Sequence, residues 1–448
     1  MLRRYLNLLF MLMILSLLPL AHSEMPISIN SSLNSFEYDL DNIHLTLDQL
    51  SAQWQLSPAD GTLQVPVLKA QRLTIELKET DKPVEAGGGL PEKITLPLPI
   101  SITRAEIKEV RIISKDEQQV LHRVRFNLAA NTQHITLNLT EAHTNWGKVH
   151  ANIQLGTIKP FPLQGLIQIT KLETSDDAAI AYDFKTKLSG NLEQLNFNSN
   201  HMLTQHQGKL HLQPAGLSPD IENIAARITL DGFISLAQDQ PLALKLKVSE
   251  LRTERLGSYP EAQLNFEANI NGKLQPQPNL QIQLRTANSH WLHHPLDLQG
   301  SSNWFSNQLQ VVALQAKLGT NQLQASGNLG AENSVLNWQA NLPQLNAFEA
   351  ELAGEVTANG TFQGQFKNLI STLKMEAKNL QLGAPLKIAS VQADAEIQHT
   401  ESGRLSANIK ANAVQLGERP PLDVQADLNG MLSEHQLKIT AHNPQQKW

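Results

Sequence analysis

The sequence has no cysteine in 448 residues, which excludes disulfides, thiol nucleophiles, iron–sulfur clusters and thiolate zinc sites. Aromatic residues make up only 5%, so large planar groups to fill a core are scarce. Positive charge is not in excess. Thirty-six Lys and Arg stand against 42 Asp and Glu, and the net charge of −6 argues against a surface that neutralises nucleic-acid phosphates. There is no H-E-x-x-H pair and no G-x-S-x-G elbow, and the glycines Gly87, Gly88 and Gly89 are not followed by G-K-[ST]. No catalytic residue, cofactor site or metal site emerges, and the chain reads as a non-enzyme.

What the sequence does have is alternation. In "VQADAEIQHTESGRLSANIKANAVQL", Val391, Ala393, Ala395 and Ile397 point one way and Gln392, Asp394 and Glu396 the other. Leu405, Ala407, Ile409 and Ala411 repeat the pattern after a turn. Period two is the signature of a strand with one apolar and one wet face. Roughly 28 such strands follow one another. They include segments at Ile43 to Leu47, at Leu50 to Leu56, and at Ile94 to Ile102, where Pro97 and Pro99 mark an edge or the start of a new sheet segment. Leu345 to Ala350 has the pattern of a single helical turn, and nothing longer is helical.

At the N-terminus, "MLRRYLNLLFMLMILSLLPLAHSEM" joins a basic head to an apolar run from Tyr5 to Ala21. That is a signal h-region just long enough to span a bilayer. Residues 1–24 therefore form either a signal peptide cleaved before Glu24 or an anchor with Arg3 and Arg4 on the cytoplasmic side. An N-terminal β segment over 25–78, a flexible insertion over 79–93 rich in Pro, Gly and charge, and a repeating β region over 94–448 complete the expected organisation.

So many one-faced strands raise the question of what covers the apolar face. The side chains assigned to it are Leu373, Met375, Ala377, Val391, Ala393, Ala395, Ile397, Leu405, Ala407, Ile409, Ala411, Leu422, Val424, Ala426 and Leu428. Small residues among aliphatics leave room for an acyl chain in a groove, or else face larger partners across a sandwich. Among polar candidates, His290, His293, His294 and Asp297 read as a solvated turn rather than a ligand set, and Asp176 and Asp177 as another turn.

The stretch "LQASGNLGAENSVLNWQANLPQLNAFEAELAGEVTANGTFQGQFKNLISTLKMEAKNLQL", Leu323 to Leu382, resembles the TamB (translocation and assembly module) branch of the AsmA-like bridge-protein family. It shares the cadence of a Gly-punctuated strand, a Trp-bearing strand, an N-L-P link and L-x-G-x-x-x-x-x-G. "LPLPISITRAEIKEVRI", Leu96 to Ile112, is similar to an early segment of that family.

The resemblance implies an all-β fold, a long, curved, open sheet forming an elongated hydrophobic groove behind an N-terminal helix. It implies a periplasmic body held at the inner membrane through residues 1–24. It also implies phospholipid transport between the membranes or assembly of outer-membrane proteins such as autotransporters, with a TamA-like barrel as partner. Family chains are longer and end in a C-terminal domain, so this sequence reads as an N-terminal fragment or truncated form. Two other readings stand beside it. One is an exported β-solenoid that is an adhesin or carbohydrate-active protein; the other is a scaffold that holds client β-strands.

Overall fold

Alternating sequences pair laterally because a lone strand leaves its N–H and C=O groups unmatched. The computed structural model describes residues 27–443 except 41–42, 58–60, 78–91, 97, 115–116, 172–179, 207–208, 217–222, 236–238, 384 and 401. The segment 1–24, the acidic pair Asp176 and Asp177, and nearly all of the insertion at 79–93 lie outside the described residues. Among the described residues there are 27 strands, two short 3₁₀ turns, and no helix long and apolar enough to cross a membrane. The chain divides into two compact units, residues 1–197 and 198–448.

The first unit contains β1 (Ile27–Leu40), β2 (Ile43–Ser57), β3 (Thr62–Val65), β4 (Leu68–Leu77) and β5 (Ile100–Ser114). It continues with β6 (Glu117–Ala130), β7 (His134–Thr144), β8 (Gly147–Gly156), β9 (Pro162–Lys171) and β10 (Ile180–Asn191). β1 lies antiparallel to β2, and the short β3 and β4 share the next rung. β5 then runs parallel to both, and β6 to β10 follow as antiparallel neighbours. Its core joins Ala70, Ile107, Val110, Val124 and Ala142, with Leu47, Leu50 and Phe126 among the partly buried groups around them.

The second unit opens with β11 (Leu195–His206), which begins at the boundary, β12 (Lys209–Pro214), β13 (Ile224–Ile234), β14 (Pro241–Arg252) and β15 (Ala262–Lys273). Next come β16 (Asn279–Thr286), β17 (Ser289–Trp291), β18 (His294–Phe305), β19 (Gln308–Leu318), β20 (Asn321–Leu329) and β21 (Val335–Leu342). The last six are β22 (Leu352–Gln363), β23 (Ile370–Leu382), β24 (Leu386–Gln398), β25 (Arg404–Leu416), β26 (Leu422–Met431) and β27 (His435–His442). From β13 onward each rung is antiparallel to the one before it, β16 and β17 together filling one rung between β15 and β18.

Two expectations need correction. Ile43 to Leu47 and Leu50 to Leu56 are one strand, because Gln49 adopts a left-handed conformation (φ 50°) that resets the alternation without ending the pairing. Ile94 to Leu96 is not part of a strand. Lys93 makes a lone bridge to Ile158, the Ile94 N–H donates to the Thr157 carbonyl at 2.8 Å, and the ladder starts only after Pro99. Proline offers no N–H to a ladder, which explains the late start.

The left-handed device recurs at Arg123, Glu250, Asn379 and Ala413, with φ between 50° and 56°. Apolar residues flank each one at a spacing of three: Leu121 and Val124, Val248 and Leu251, Ala377 and Leu380, Ala411 and Val414. An added residue would normally send the rest of a strand to the wrong face. Here both flanking side chains of β6, β23 and β25 enter the same apolar cluster, so the irregularity preserves one-facedness.

Candidate functional site

Directly opposed residues in an antiparallel ladder lie on the same face, so register converts strand alternation into rows that run across the sheet. One row starts at Leu230 in β13 and passes through Leu246, Ala268, Leu284 and Gly300. It continues through Leu314, Ala325, Trp338, Gly360 and Leu373. Ala395, Ala407, Leu428 and Leu437 complete it, making fourteen rungs without a polar side chain. None of the fourteen is buried. A second sheet packed on this face would bury such a row, as the inner faces of a sandwich are buried.

The fifteen side chains expected on the apolar face fall in these rows. Leu373, Ala395, Ala407 and Leu428 make one set, Met375, Ala393, Ile409 and Ala426 the next, and Ala377, Val391, Ala411 and Val424 the third. Ile397 opposes Leu405, and Leu422 opposes Val414 beyond the bulge. Their exposure is graded. Ala377, Val391, Ala393 and Ala411 are buried, whereas Ile409 is 40% exposed.

The chain itself supplies part of the cover. The 3₁₀ turn Leu345–Ala347, where a helical turn was expected, sets Leu345 against Ala377, Leu380, Val391 and Ala411. The small size of Ala377 and Ala411 thus accommodates a leucine of the same chain. Met375 in the next row packs against the same cluster and Ala393 opposite it is buried, whereas no member of the row through Leu373 is buried or belongs to that cluster.

Trp338 lies across Gly360, where an added Cβ would meet its ring at 2.9 Å, and its buried Nε1 has no hydrogen-bond partner. Trp304 stacks on Phe366 with ring centroids 5.5 Å apart. Leu292 and His293 form the tip of the β17–β18 hairpin, with φ of 45° and 67°, so of the four residues expected in a turn only His293 is in one; His290 lies in β17 and His294 and Asp297 in β18. No group of three or more His, Asp or Glu side chains among the described residues is arranged to hold a metal ion.

The opposite face is polar and carries the ion pairs. Lys245 at 3.0 Å and Arg285 at 3.2 Å hydrogen-bond Glu267 and lower its pKa to about 2. In the first unit, hydrogen bonds from Arg72 and Arg111 lower Glu109, and one from His143 lowers Glu141. These groups sit in cross-strand files separated from the apolar rows by the sheet itself. Sequence reading missed how long and unbroken the polar files are, because register, not composition, assembles them.

Fold and site together define a class: all-β proteins whose successive one-faced strands line up apolar rows that the chain covers only in part. The chain belongs to the TamB family. The family model described as TamB, N-terminal domain, matches residues 19–222 and 202–446. That family is one of non-enzymatic, envelope-bridging proteins of lipid or protein transport. No curated protein and no solved structure shows significant similarity to the chain.

Proposed function

We propose that the chain is a lipid conduit of a Gram-negative envelope, its apolar rows forming a wall along which phospholipid acyl chains lie and slide while head groups stay in water. The fourteen-rung row without one buried member is the observation that carries this reading. Each methylene moved from water to such a wall gains about 0.8 kcal/mol, so a continuous wall lowers the cost of crossing an aqueous gap at every step. The fifteen side chains from Leu373 to Leu428 line the groove. The body lies in the periplasm, residues 1–24 hold it at the inner membrane, and a barrel protein of the outer membrane receives the cargo. The same wall suits an unfolded outer-membrane client, whose apolar side chains also need cover.

Native mass spectrometry of the purified chain, with lipid extraction, tests the reading. Stoichiometric phospholipid is expected, lost in Ile409→Asp, where an exposed position lets the charge enter without breaking the ladder. A folded chain that carries no lipid, or an Ile409→Asp variant that keeps it, overturns the conduit.

A further inference from the structure

On the polar face of the second unit one cross-strand file is uncharged over five rungs, although Asp297 and Lys317 flank its first two rungs and Gln299 Nε2 donates to Asp297. Opposed across consecutive rungs stand Gln299, Gln315, Gln324, Gln339 and Asn359, an unbroken file of amides. Beyond this file the charges return: Arg285 with Glu267 on one side, Lys374 with Asp394 on the other. Ser326, Asn337, Thr361 and Thr372 form a parallel file two residues away along each strand. A depression of about 710 Å³ lies between the files, with Lys374 at its far end, and a second of about 590 Å³, lined by Gln299, Ser301, Thr286 and Arg285, adjoins it at Ala313 and Gln315. A face with no task beyond solubility is usually rich in Lys and Glu, which are mostly exposed. These five rungs carry neither in the two files.

We infer that this trough binds a neutral, extended polysaccharide. Amide and hydroxyl side chains each donate and accept, as sugar hydroxyls do, so the match needs no charge. The trough crosses the strands, presenting an amide about every 4.8 Å. That repeat is close to the length of one sugar in an extended β-1,4-linked chain. Gln339 Nε2 already donates to Gln324 Oε1 at 3.1 Å, so neighbouring amides in the file are within ladder reach of each other.

Other occupants fit worse. A nucleic acid needs cations in the trough, and the two at its ends face carboxylates in the next rung. A peptide strand adds at a sheet edge, because backbone groups within the sheet are already paired. An acyl chain would strip water from amides and return no hydrogen bond.

Isothermal titration of the full chain with cellohexaose and with chitohexaose tests the inference. At least one hexasaccharide is expected to bind, and Gln324→Ala and Gln339→Ala each to weaken it about tenfold, the worth of a lost hydrogen-bonding amide. Gln436→Ala, on the exposed face of β27, should leave binding unchanged, and thermal melts of all three variants should overlay the parent. Binding of neither sugar overturns the inference, as does binding unaltered in Gln324→Ala and Gln339→Ala. Binding of a reduced, unfolded polypeptide in place of the sugars overturns it too.

Discussion

Gly360 shows how narrowly single residues are set in this sheet. An added Cβ there would run into the Thr372 carbonyl oxygen and press on the Trp338 ring. Gly360→Ala is therefore expected to cost about 1–3 kcal/mol, the usual range for overpacking. Equilibrium urea unfolding should show the loss. Leu345 is the complementary case, a large side chain over small ones, and Leu345→Ala should cost about 2–5 kcal/mol by leaving a cavity over Ala377 and Ala411. Charge at the residue scale concerns Glu267. Its pKa in the folded chain, about 2, lies below the ordinary 4.5. Its contribution to stability is then fully present above about pH 4.5 and is lost as pH falls toward 2. Scanning calorimetry should find the melting temperature falling over that window, and falling less in Glu267→Gln.

At the scale of the strand, the recurring left-handed residue is the distinctive element. Side chains without a β-branch tolerate φ near 50° at a modest cost, and β-branched ones do not. Asn379→Val is expected to destabilise the chain by about 1–2 kcal/mol, whereas Asn379→Gly should be nearly neutral, as a thermal melt of each would show. This device also marks where sequence reading stops. Alternation alone placed Val391 to Ile397 and Leu405 to Ala411 on neighbouring strands, and their rows follow from that. A spacing of three, as from Leu47 to Leu50, reads as a break between strands, because period two cannot distinguish a bulge from a turn. The alternation at Ile94 to Leu96 misled in the other direction, since prolines prevent pairing without disturbing the hydrophobic pattern. The cover by Leu345 was invisible because it depends on a contact across the sheet, and the amide files because an exposed Gln looks the same in any register.

At the scale of the whole molecule, the two faces of the second unit call for opposite kinds of partner. Acyl chains held on the apolar rows are bound by exclusion from water, which salt does not screen. Lipid that copurifies with the chain is thus expected to remain through a high-salt wash and to leave on addition of detergent. Mass spectrometry before and after each wash would read this. Release by salt alone would mean that head-group charge, not the apolar face, does the holding.

The parallel placement of β5 beside β4 bears on how the chain acquires its structure. From β6 to β10 in the first unit, each strand can join its immediate predecessor as the next arm of a hairpin, a local step of low contact order. β5 cannot, because parallel pairing requires an excursion from the end of β4 back to its beginning. Closing that excursion costs entropy before any pairing repays it. Until it closes, β4 presents an open edge able to take a strand from a neighbouring molecule. For a chain delivered N-terminus first, that interval is when intermolecular capture competes most directly with folding.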